Sequence, residues 1–282
     1  MFKFGFSDDH STQDAGNNES AKLDWFPAEE IQISDEEISK FPEADERINA
    51  TFGDVHLKLI RSDNVAFNLY SDEHENIIKA ETQHSDLLPA IYEGGLKIWE
   101  CTNDLSQYLI AQQIDLKSKK VLDLGCGAGV LGIITLLKGA VVDFQDYNSE
   151  VIHLVTIPNV LLNSTAQESL EKKCKFFSGD WAAFTDLFSE KSSRDGKYDV
   201  IVSSETIYNS DNHEKLYQVF KKCLKADGVG YVAGKTYYFG VGGGMRQFET
   251  LVSQDGEFVA ETVWTSEQGL QREILKLTRL KQ

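Results

Sequence analysis

Apolar and polar residues alternate over residues 119–282 in blocks that predict strands and helices in turn. Five short apolar runs predict strands, at Val121–Leu124, Val141–Phe144, Cys174–Phe177, Val200–Ser203 and Gly228–Ala233. Helical patterns lie between several of them, at Val130–Leu137, Val151–Leu162 and Asn212–Leu224. Continuous apolar strands that alternate with helices are typical of a parallel sheet covered on both faces. We therefore expect an α/β, doubly wound fold.

The pattern changes near the end of the chain. A helix is predicted over Met245–Val252, and two strand-like runs follow, Glu257–Trp264 and Glu273–Leu280, with only a short link through Gly269. Two strands joined that tightly must be antiparallel. The prediction is therefore a seven-stranded, mostly parallel sheet of Rossmann-like topology that finishes in an antiparallel hairpin.

The first part of the chain has a weaker pattern. FKFGF at 2–6 alternates like a short strand, whereas 7–46 is polar, acidic and aperiodic, which predicts disorder with Trp25 and Phe26 as a docking spot. HLKLI and VAFNLY, within Val55–Tyr70, predict a hairpin or two short strands. Apolar residues between Trp99 and Gln112 recur at helical spacing.

These patterns divide the chain into an acidic tail, 1–50, and a folded unit, 51–282, whose core is 119–282. The chain has 282 residues, with 28 Lys and Arg against 45 Asp and Glu, a formal net charge of −17. The first fifty residues hold 13 acidic and 4 basic side chains, a net charge of −9. Because phosphate neutralisation supplies most nonspecific nucleic-acid affinity, this balance argues against a polyanion binder and favours a basic partner.

The cysteines and the lengths of the apolar runs indicate the cellular compartment of the protein. Four cysteines, at 101, 126, 174 and 223, show neither zinc-site spacing nor the density of a disulfide framework, so we expect reduced thiols and no metal. Apolar runs are far shorter than the ~20 residues that cross a bilayer. The N-terminus lacks the pattern of a secretion signal. We expect no membrane association and a location in the cytosol or nucleus.

The sharpest chemical signal is DLGCGAGVLG at 123–132, where a strand, a glycine turn and a helix start follow one another. Such a turn lets the backbone approach a nucleotide-like ligand. Gly127, Gly129 and Gly132 also fit the dinucleotide pattern, with Asp146 near the position of a ribose-binding acid. Asp123 favours a different ligand, because its carboxylate would repel a pyrophosphate and attract the ammonium of a methionine moiety, directly or through water. The remaining alternative is a glycine turn needed only for packing.

DLGCGAG resembles the first motif of the seven-stranded, S-adenosylmethionine-dependent methyltransferases. The resemblance implies S-adenosyl-L-methionine as cofactor, bound across the carboxyl ends of successive strands. It implies that Asp146 accepts hydrogen bonds from the ribose hydroxyls, although capping of the next helix would also explain this residue. It places adenine at Gly179-Asp180-Trp181, with stacking on Trp181. The expected cofactor set is Gly95, Ile98, Trp99, Glu100, Asp123, Gly125, Cys126, Gly127, Gly129, Gln145, Asp146, Tyr147, Asn148, Gly179, Asp180, Trp181 and Ser203.

YEGGLKIWEC at 92–101 resembles the G-x-x-x-W cap of protein methyltransferases that modify lysine and histidine, in which the Trp closes over the cofactor. Their D-x-x-Y run corresponds here to Glu205-Thr-Ile-Tyr208, a departure that points away from the lysine modifiers. With HSDL from His84, FQDYN from Phe144, PNV from Pro158 and YFGVGGG from Tyr238, the chain resembles the eukaryotic histidine protein methyltransferases over about residues 84–279.

That resemblance implies methylation of one histidine, at its tele nitrogen, in the third large-subunit ribosomal protein. It implies a basic ribosomal protein of the large subunit as partner. The acidic tail is expected to engage basic partners or chaperones, and we expect a monomer in the cytoplasm and nucleus, including the nucleolus. No direct nucleic-acid readout is expected. Removal of the first fifty residues is expected to leave cofactor affinity nearly unchanged, and electrostatic attraction should assist the encounter with substrate.

Methylation of an imidazole depends more on the orientation of the ring than on a base that removes a proton. A neutral imidazole is already nucleophilic at neutral pH, so the enzyme must align the ring and accept the N–H of its second nitrogen. Glu205 is the candidate acceptor, and a backbone carbonyl is the alternative. Tyr208 would line the channel, unless it is simply buried.

The glycine-rich loop at 235–244 combines four glycines with three aromatic residues. Glycines let the backbone approach a partner chain, so we favour substrate binding there. The expected substrate residues are Tyr238, Phe239, Gly240 and Gly242. Two other functions remain open, a lysine-directed relative and a non-catalytic cofactor-binding module on ribosomal particles or chaperones.

Overall fold

The computed structural model describes residues 24–34, 37, 46–61, 78–80, 87–164, 170–191 and 196–281. The strands predicted at 2–6 and 65–70 and residues 84–86 of the HSDL run lie outside the described residues. The strands are β1 Glu29–Ile31, β2 Arg47–Phe52, β3 Val55–Ile60, β4 Lys120–Leu124, β5 Val141–Asp146, β6 Cys174–Ser178, β7 Tyr198–Ser204, β8 Leu224–Lys235, β9 Phe258–Thr265 and β10 Arg272–Arg279.

The helices lie mostly between these strands, as the alternating pattern predicted. They are α1 Glu100–Ala111, α2 Val130–Leu137, α3 Ser149–Val151 continued by the π-helical Ile152–Thr156 and by Ile157–Asn163, α4 Leu170–Lys173, α5 Trp181–Lys191, α6 His213–Cys223 and α7 Met245–Asp255. Within the described ranges, none of them is long and apolar enough to cross a bilayer. All four cysteines are free thiols.

The strands form a sheet in the order β1-β6-β5-β4-β7-β8-β10-β9. Strands β6, β5, β4, β7 and β8 are parallel to their neighbours in that run. Strand β10 is antiparallel to both β8 and β9, so the tight link near Gly269 closes the predicted hairpin. The predicted fold class is confirmed.

Alternate residues of the central strands face opposite sides of the sheet, where two apolar clusters form. Val200 and Val202 pack in the cluster that contains α1, α2 and α3, whereas Ile201 packs in the cluster with α6 and α7. Helix α2 lies very close to β5, because a Cβ on Gly132 would be 2.2 Å from the Phe144 ring. The cores on the two faces leave the carboxyl ends of the parallel strands free to build a site.

The N-terminal part differs from its prediction. Strand β1 lies in the stretch expected to be disordered, and it adds an antiparallel edge to the sheet by pairing with β6. Strand β3 pairs with β2, a strand that was not predicted, and the VAFNLY run lies outside the described residues. The predicted boundary between tail and folded unit, at residue 50, therefore falls inside β2. Helix α5 was also not predicted, although Phe184, Leu187 and Phe188 recur at helical spacing.

Candidate functional site

A cleft lies at the carboxyl ends of β4, β5, β6 and β7. Its position is where open α/β sheets bind ligands. The expected site residues in its wall are Gly95, Ile98, Trp99, Gly125, Cys126, Gly127, Asp146, Tyr147, Gly179, Asp180, Trp181, Glu205 and Tyr208. Those outside the wall are Glu100, Asp123, Gly129, Gln145, Asn148, Ser203, Tyr238, Phe239, Gly240 and Gly242.

The turn after β4 can be built only with glycine. Gly125 and Gly127 have φ values of +67° and +48°, in the left-handed region. A Cβ on Gly125 would lie 2.6 Å from Thr206 Cγ2, and one on Gly127 would lie 2.9 Å from the carbonyl oxygen of Gly95. The bare backbone at these positions leaves room for a ligand against the strand ends.

Asp123 does not reach the cleft. It is 1% exposed, and its Oδ2 accepts a hydrogen bond from the Gly132 N–H at 2.7 Å, in the first turn of α2. Burial raises the pKa of Asp123 to about 8. Asp123 therefore does not line the cleft, and its expected contact with a ligand ammonium, directly or through water, stays a prediction. Its carboxylate nonetheless occupies a helix N-terminal donor that a pyrophosphate would need, which still argues against a dinucleotide.

Asp146, at the end of β5, does lie in the wall. Its Oδ2 accepts from the Gly127 N–H at 2.8 Å and its Oδ1 from the Asn148 N–H at 3.3 Å. Burial raises the pKa of Asp146 to about 6 in spite of these hydrogen bonds. The carboxylate thus fixes the glycine turn and retains acceptor capacity toward the cleft. Gly125, Gly127 and Asp146 are called the glycine wall below.

Three other expected contacts are buried behind the wall. Ser203 donates to the Leu124 carbonyl at 2.8 Å, and the Asn148 amide donates to the Ile91 carbonyl at 2.8 Å. Gln145 donates to the Gly179 carbonyl at 2.8 Å. Their hydrogen-bonding groups hold the backbone of neighbouring loops, and their expected contacts with the ligand stay predictions.

The cleft at the end of β6 is bounded by aromatic and acidic groups. The Trp181 indole N–H donates to Gln145 Oε1 at 3.0 Å, which fixes the ring. Asp180 accepts from the Ala182 N–H at 3.0 Å and pairs with Lys215 Nζ at 2.7 Å. Lys215 carried no signal in the sequence. The expected adenine acceptor is therefore already held by a cation and by the start of α5.

A segment near the N-terminus, distant in sequence from β6, also reaches the part of the cleft at the end of β6. Residues 24–31, called the N-terminal strap below, include Trp25, which lines the cleft. Tyr147 ties the strap down, since its hydroxyl accepts from the Phe26 N–H at 3.2 Å and donates to the Ala90 carbonyl at 2.8 Å. The docking spot expected at Trp25 and Phe26 thus contacts the chain's own cleft.

The loop before α1 covers another side. Gly95 packs tightly, because a Cβ there would lie 2.9 Å from Val151 Cγ1. The Trp99 indole N–H donates to the Gly94 carbonyl at 3.2 Å, within the expected cap. Glu100 points elsewhere and pairs with Lys235 at 3.1 Å. Burial is the largest single influence and acts to raise the pKa of Glu100, but the Lys235 ammonium and a backbone hydrogen bond together leave that pKa below its usual range.

Glu93 was missed as a site residue, although it stands in the EGG run. It lines the cleft, and its carboxylate accepts hydrogen bonds from the Tyr208 hydroxyl and, at 2.9 Å, from the Ala90 N–H. Burial raises the pKa of Glu93. Burial and the neighbouring Glu93 carboxylate raise the pKa of Tyr208 well above its usual range. A hydroxyl and a carboxylate from distant segments therefore meet in the wall.

Glu205 follows β7 with a φ of +58°. Its Oε1 accepts from the Cys101 N–H at 3.2 Å, at the start of α1, and lies 3.6 Å from Lys235 Nζ. Its Oε2 accepts from the Tyr238 hydroxyl at 2.6 Å. The carboxylate expected to orient a substrate is thus engaged in joining α1, β8 and the loop after β8. Glu93, Glu205 and Tyr208 are called the acidic wall below.

The loop after β8 separates its aromatic residues. Tyr238 is 2% exposed, so its ring is not at the surface of the loop, and its expected contact with a substrate stays a prediction. Tyr237 and Phe239 are 48% and 70% exposed, and their rings meet edge-on with centroids 4.9 Å apart. Gly242 has a φ of +87°, and a Cβ there would meet nothing within 4 Å. Of the aromatic residues in this loop, the exposed pair is what a partner chain can reach.

A family model described as lysine methyltransferase matches residues 90–238. The histidine protein methyltransferase 1 homologue of Bos taurus is 44% identical over 225 residues, which cover 72% of this chain and 60% of that protein. The homologue of Dictyostelium discoideum is 44% identical over 196 residues, which cover 69% of this chain and 60% of that protein. The chain therefore spans about three fifths of the length of these relatives.

Solved structures are similar in fold. A Streptococcus mutans protein that carries the name of an S-adenosylmethionine-dependent methyltransferase superposes with a TM-score of 0.53 at 12% identity. The superposition covers 83% of this chain and 56% of that one. At that identity the likeness concerns the arrangement of sheet and helices alone.

Proposed function

The chain belongs to the methyltransferase family described as lysine methyltransferase, and from that premise we propose that it methylates a histidine side chain of a protein. Membership confirms the enzyme class expected from the motifs, and S-adenosylmethionine is the cofactor. Two features support histidine over lysine as the target. The first relatives carry the name histidine protein methyltransferase 1 homologue, and Glu205 stands where the lysine-modifying pattern has Asp.

The residues of the cleft fit this cofactor. The crowded positions of Gly125 and Gly127 leave only backbone beside the strand ends, as close approach of a ligand requires. Asp146 keeps acceptor capacity for ribose hydroxyls, and the fixed indole of Trp181 offers an apolar face to a base. When bound, S-adenosylmethionine supplies the methyl group on a sulfonium centre.

The observation that carries the proposal is the buried pair of Glu93 and Tyr208 in the same cleft as the glycine wall. An imidazole needs an acceptor for one N–H and a rigid position for the other nitrogen, and no base to activate it. Glu205 is already paired with Lys235, whereas burial raises the pKa of Glu93. We therefore assign the N–H acceptor to Glu93, positioned by Tyr208, and a structural position to Glu205.

The proposed substrate is a basic ribosomal protein of the large subunit, the one numbered third, methylated at the tele nitrogen of one histidine. The net charge of −17 supports a basic protein, because opposite charges steer encounter. We further propose that the enzyme is a monomer of the cytoplasm and nucleus. Chaperones are the further partners proposed for the acidic residues 1–50.

The test uses the full chain, S-adenosylmethionine labelled in its methyl group, and purified large-subunit ribosomal proteins. We expect label in one protein, and acid hydrolysis should release it as tele-methylhistidine. Label recovered as methyl-lysine would assign the chain to the lysine modifiers instead. Mass spectrometry of the labelled protein then gives the modified residue.

A variant of the acidic wall separates catalysis from binding in this assay. Glu93→Gln should bind S-adenosylhomocysteine as the wild type does, while the rate of methyl transfer falls about 100-fold, as expected when an oriented polar contact is lost. Absence of transfer by a wild-type chain that binds the cofactor would favour the non-catalytic module.

A further inference from the structure

The N-terminal strap is bound to the cofactor end of the sheet by its backbone. Its Glu29–Ile31 part pairs with β6 in the register Glu29↔Ser178 and Ile31↔Phe176. Just before that strand, the Phe26 carbonyl accepts from the Asp180 N–H at 3.0 Å. Backbone hydrogen bonds of this kind give one register and one position to the residues they hold. The strap therefore sits in a defined place beside the expected adenine acceptor.

Gly179 shows how closely the strap approaches. A Cβ on Gly179 would lie 2.2 Å from the carbonyl oxygen of Pro27 and 2.6 Å from Cα of Ala28. Its φ of +105° is also a conformation that any residue other than glycine would adopt only with strain. The glycine in the Gly179-Asp180-Trp181 run is thus required by the crossing of the strap, a contact that the motif alone did not indicate.

Trp25 is the strap residue that enters the wall of the cleft. Lys215 Nζ lies 3.5 Å from the centroid of its ring, and the ring meets Tyr147 edge-on with centroids 5.8 Å apart. Lys215 also pairs with Asp180 at 2.7 Å. A cation over the indole and an ion pair to the neighbouring carboxylate hold Trp25 and Asp180 in fixed relation.

We infer that the N-terminal strap is part of the cofactor site and that Trp25 contacts the adenosine half of the bound cofactor. The identity of that cofactor rests on the proposed function. The inference reverses the expectation that the first fifty residues can be removed with little effect on cofactor affinity. It also makes Lys215 a positioning residue, which acts through Trp25 and Asp180.

Titration calorimetry of the full chain with S-adenosylhomocysteine tests this. Trp25→Ala should weaken binding by at least about fivefold, because a base stacked on an aromatic side chain loses this much or more on truncation. Trp25→Phe keeps an aromatic face and should restore most of the affinity. Trp264→Ala, a partly buried Trp on β9 outside the cleft, is the matched control and should bind as the wild type does.

Hydrogen exchange gives a second readout that needs no variant. Amides of the strap and of Asp180 should exchange more slowly when S-adenosylhomocysteine is added to the wild-type chain. The inference would be overturned if Trp25→Ala bound S-adenosylhomocysteine as tightly as the wild type. It would also be overturned if hydrogen exchange in the strap did not change when the ligand is added. Either result would leave the proposed function intact. A wild-type chain that binds no S-adenosylhomocysteine would overturn the proposed function itself.

Discussion

The two walls of the cleft are built in different ways. In the glycine wall, the Asp146 carboxylate at the end of β5 accepts from the Gly127 N–H, 19 residues away, so the contact lies within one β-α-β unit. In the acidic wall, Tyr208 meets Glu93 across 115 residues and Glu205 meets the Cys101 N–H across 104. A local motif can therefore indicate the first wall, whereas side chains brought together by the sheet topology decide the second.

The largest expected effect of a single methyl group is in the glycine wall. Gly127→Ala forces a side chain into the left-handed region and onto the Gly95 carbonyl, 2.9 Å away. Strain and overlap together should cost about 3–4 kcal/mol of the free energy of unfolding. Urea unfolding and calorimetry should show a lower midpoint and no S-adenosylhomocysteine binding at concentrations that saturate the wild type.

Gly242→Ala is the matched control in the loop beside the acidic wall. Its φ is also positive, at +87°, but no heavy atom lies within 4 Å of the added Cβ. Left-handed strain alone should cost about 1 kcal/mol, with cofactor affinity unchanged. Equal losses in the two variants would mean that crowding against Gly95 does not shape the glycine wall.

The next largest effect tests the position of Glu205 in the acidic wall. Glu205→Gln removes the charge that faces Lys235, and both side chains are at most 6% exposed. Loss of hydrogen bonds to a buried charged group should cost about 2–3 kcal/mol of unfolding free energy. Urea unfolding measures it, and Tyr238→Phe, which removes one of these bonds, should cost less.

The comparison with Glu93 makes that prediction sharper. Methyl transfer by folded Glu205→Gln should stay within a few-fold of wild type, whereas Glu93→Gln should fold normally and lose turnover. The reverse result, a stable Glu205→Gln that turns over slowly, would return the N–H acceptor to Glu205. The proposed assignment of Glu93 as the N–H acceptor and of Glu205 as a structural residue would then be wrong.

The sequence predicted the sheet well because its strands carry their own signal. Val130–Leu137 was predicted at its observed bounds, since an apolar segment between Gly129 and Gly139 has a start and an end that are local. Strand β1 was missed because Glu29-Glu30-Ile31 shows no alternation, and its pairing with β6 is visible only in the fold. Helix boundaries and strand runs are local properties, whereas an edge strand from a polar segment is not.

The site shows the same division. Gly125, Gly127 and Asp146, which the motif indicated, line the cleft, because the glycine turn and the end of the next strand belong to one β-α-β unit. It also assigned Asp123 and Ser203 to the ligand, although both bond to backbone behind the wall. Spacing along a strand does not reveal which face a polar side chain uses. Whether each residue in the wall contacts the cofactor stays a prediction.

A smaller effect concerns the charge of the glycine wall. Burial raises the pKa of Asp146 to about 6, and ribose hydroxyls donate best to the ionised carboxylate. Affinity for S-adenosylhomocysteine should therefore rise with pH up to about 6 and then level off, with a loss of about tenfold per unit below that value. Calorimetry between pH 5 and 7 measures this effect. That window lies below the pKa of Asp123, which is about 8.

The sign of the stability effect is opposite and serves as a check. Because the folded state raises the pKa of Asp146 above its value of 3.8, its contribution to stability is present at low pH and is lost as the pH rises through about 6. Asp146→Asn should flatten both profiles in this window. An affinity profile that keeps its slope in Asp146→Asn would assign the titration to another group.

The smallest effect is expected at the exposed rim of the loop after β8. Phe239 is 70% exposed and contacts Tyr237 edge-on, so its ring is available to a protein substrate and stands outside the cofactor cleft. Phe239→Ala should raise KM for the substrate protein by about fivefold, near 1 kcal/mol of contact energy, and leave S-adenosylhomocysteine affinity unchanged. Leu280→Ala, at a 50% exposed residue after β10, is the control for loss of exposed apolar surface and should leave KM unchanged. If both variants raised KM equally, the loop would have no special part in substrate binding. The contrast between a glycine wall built from backbone and a substrate side built from side chains would then apply to the acidic wall but not to this loop.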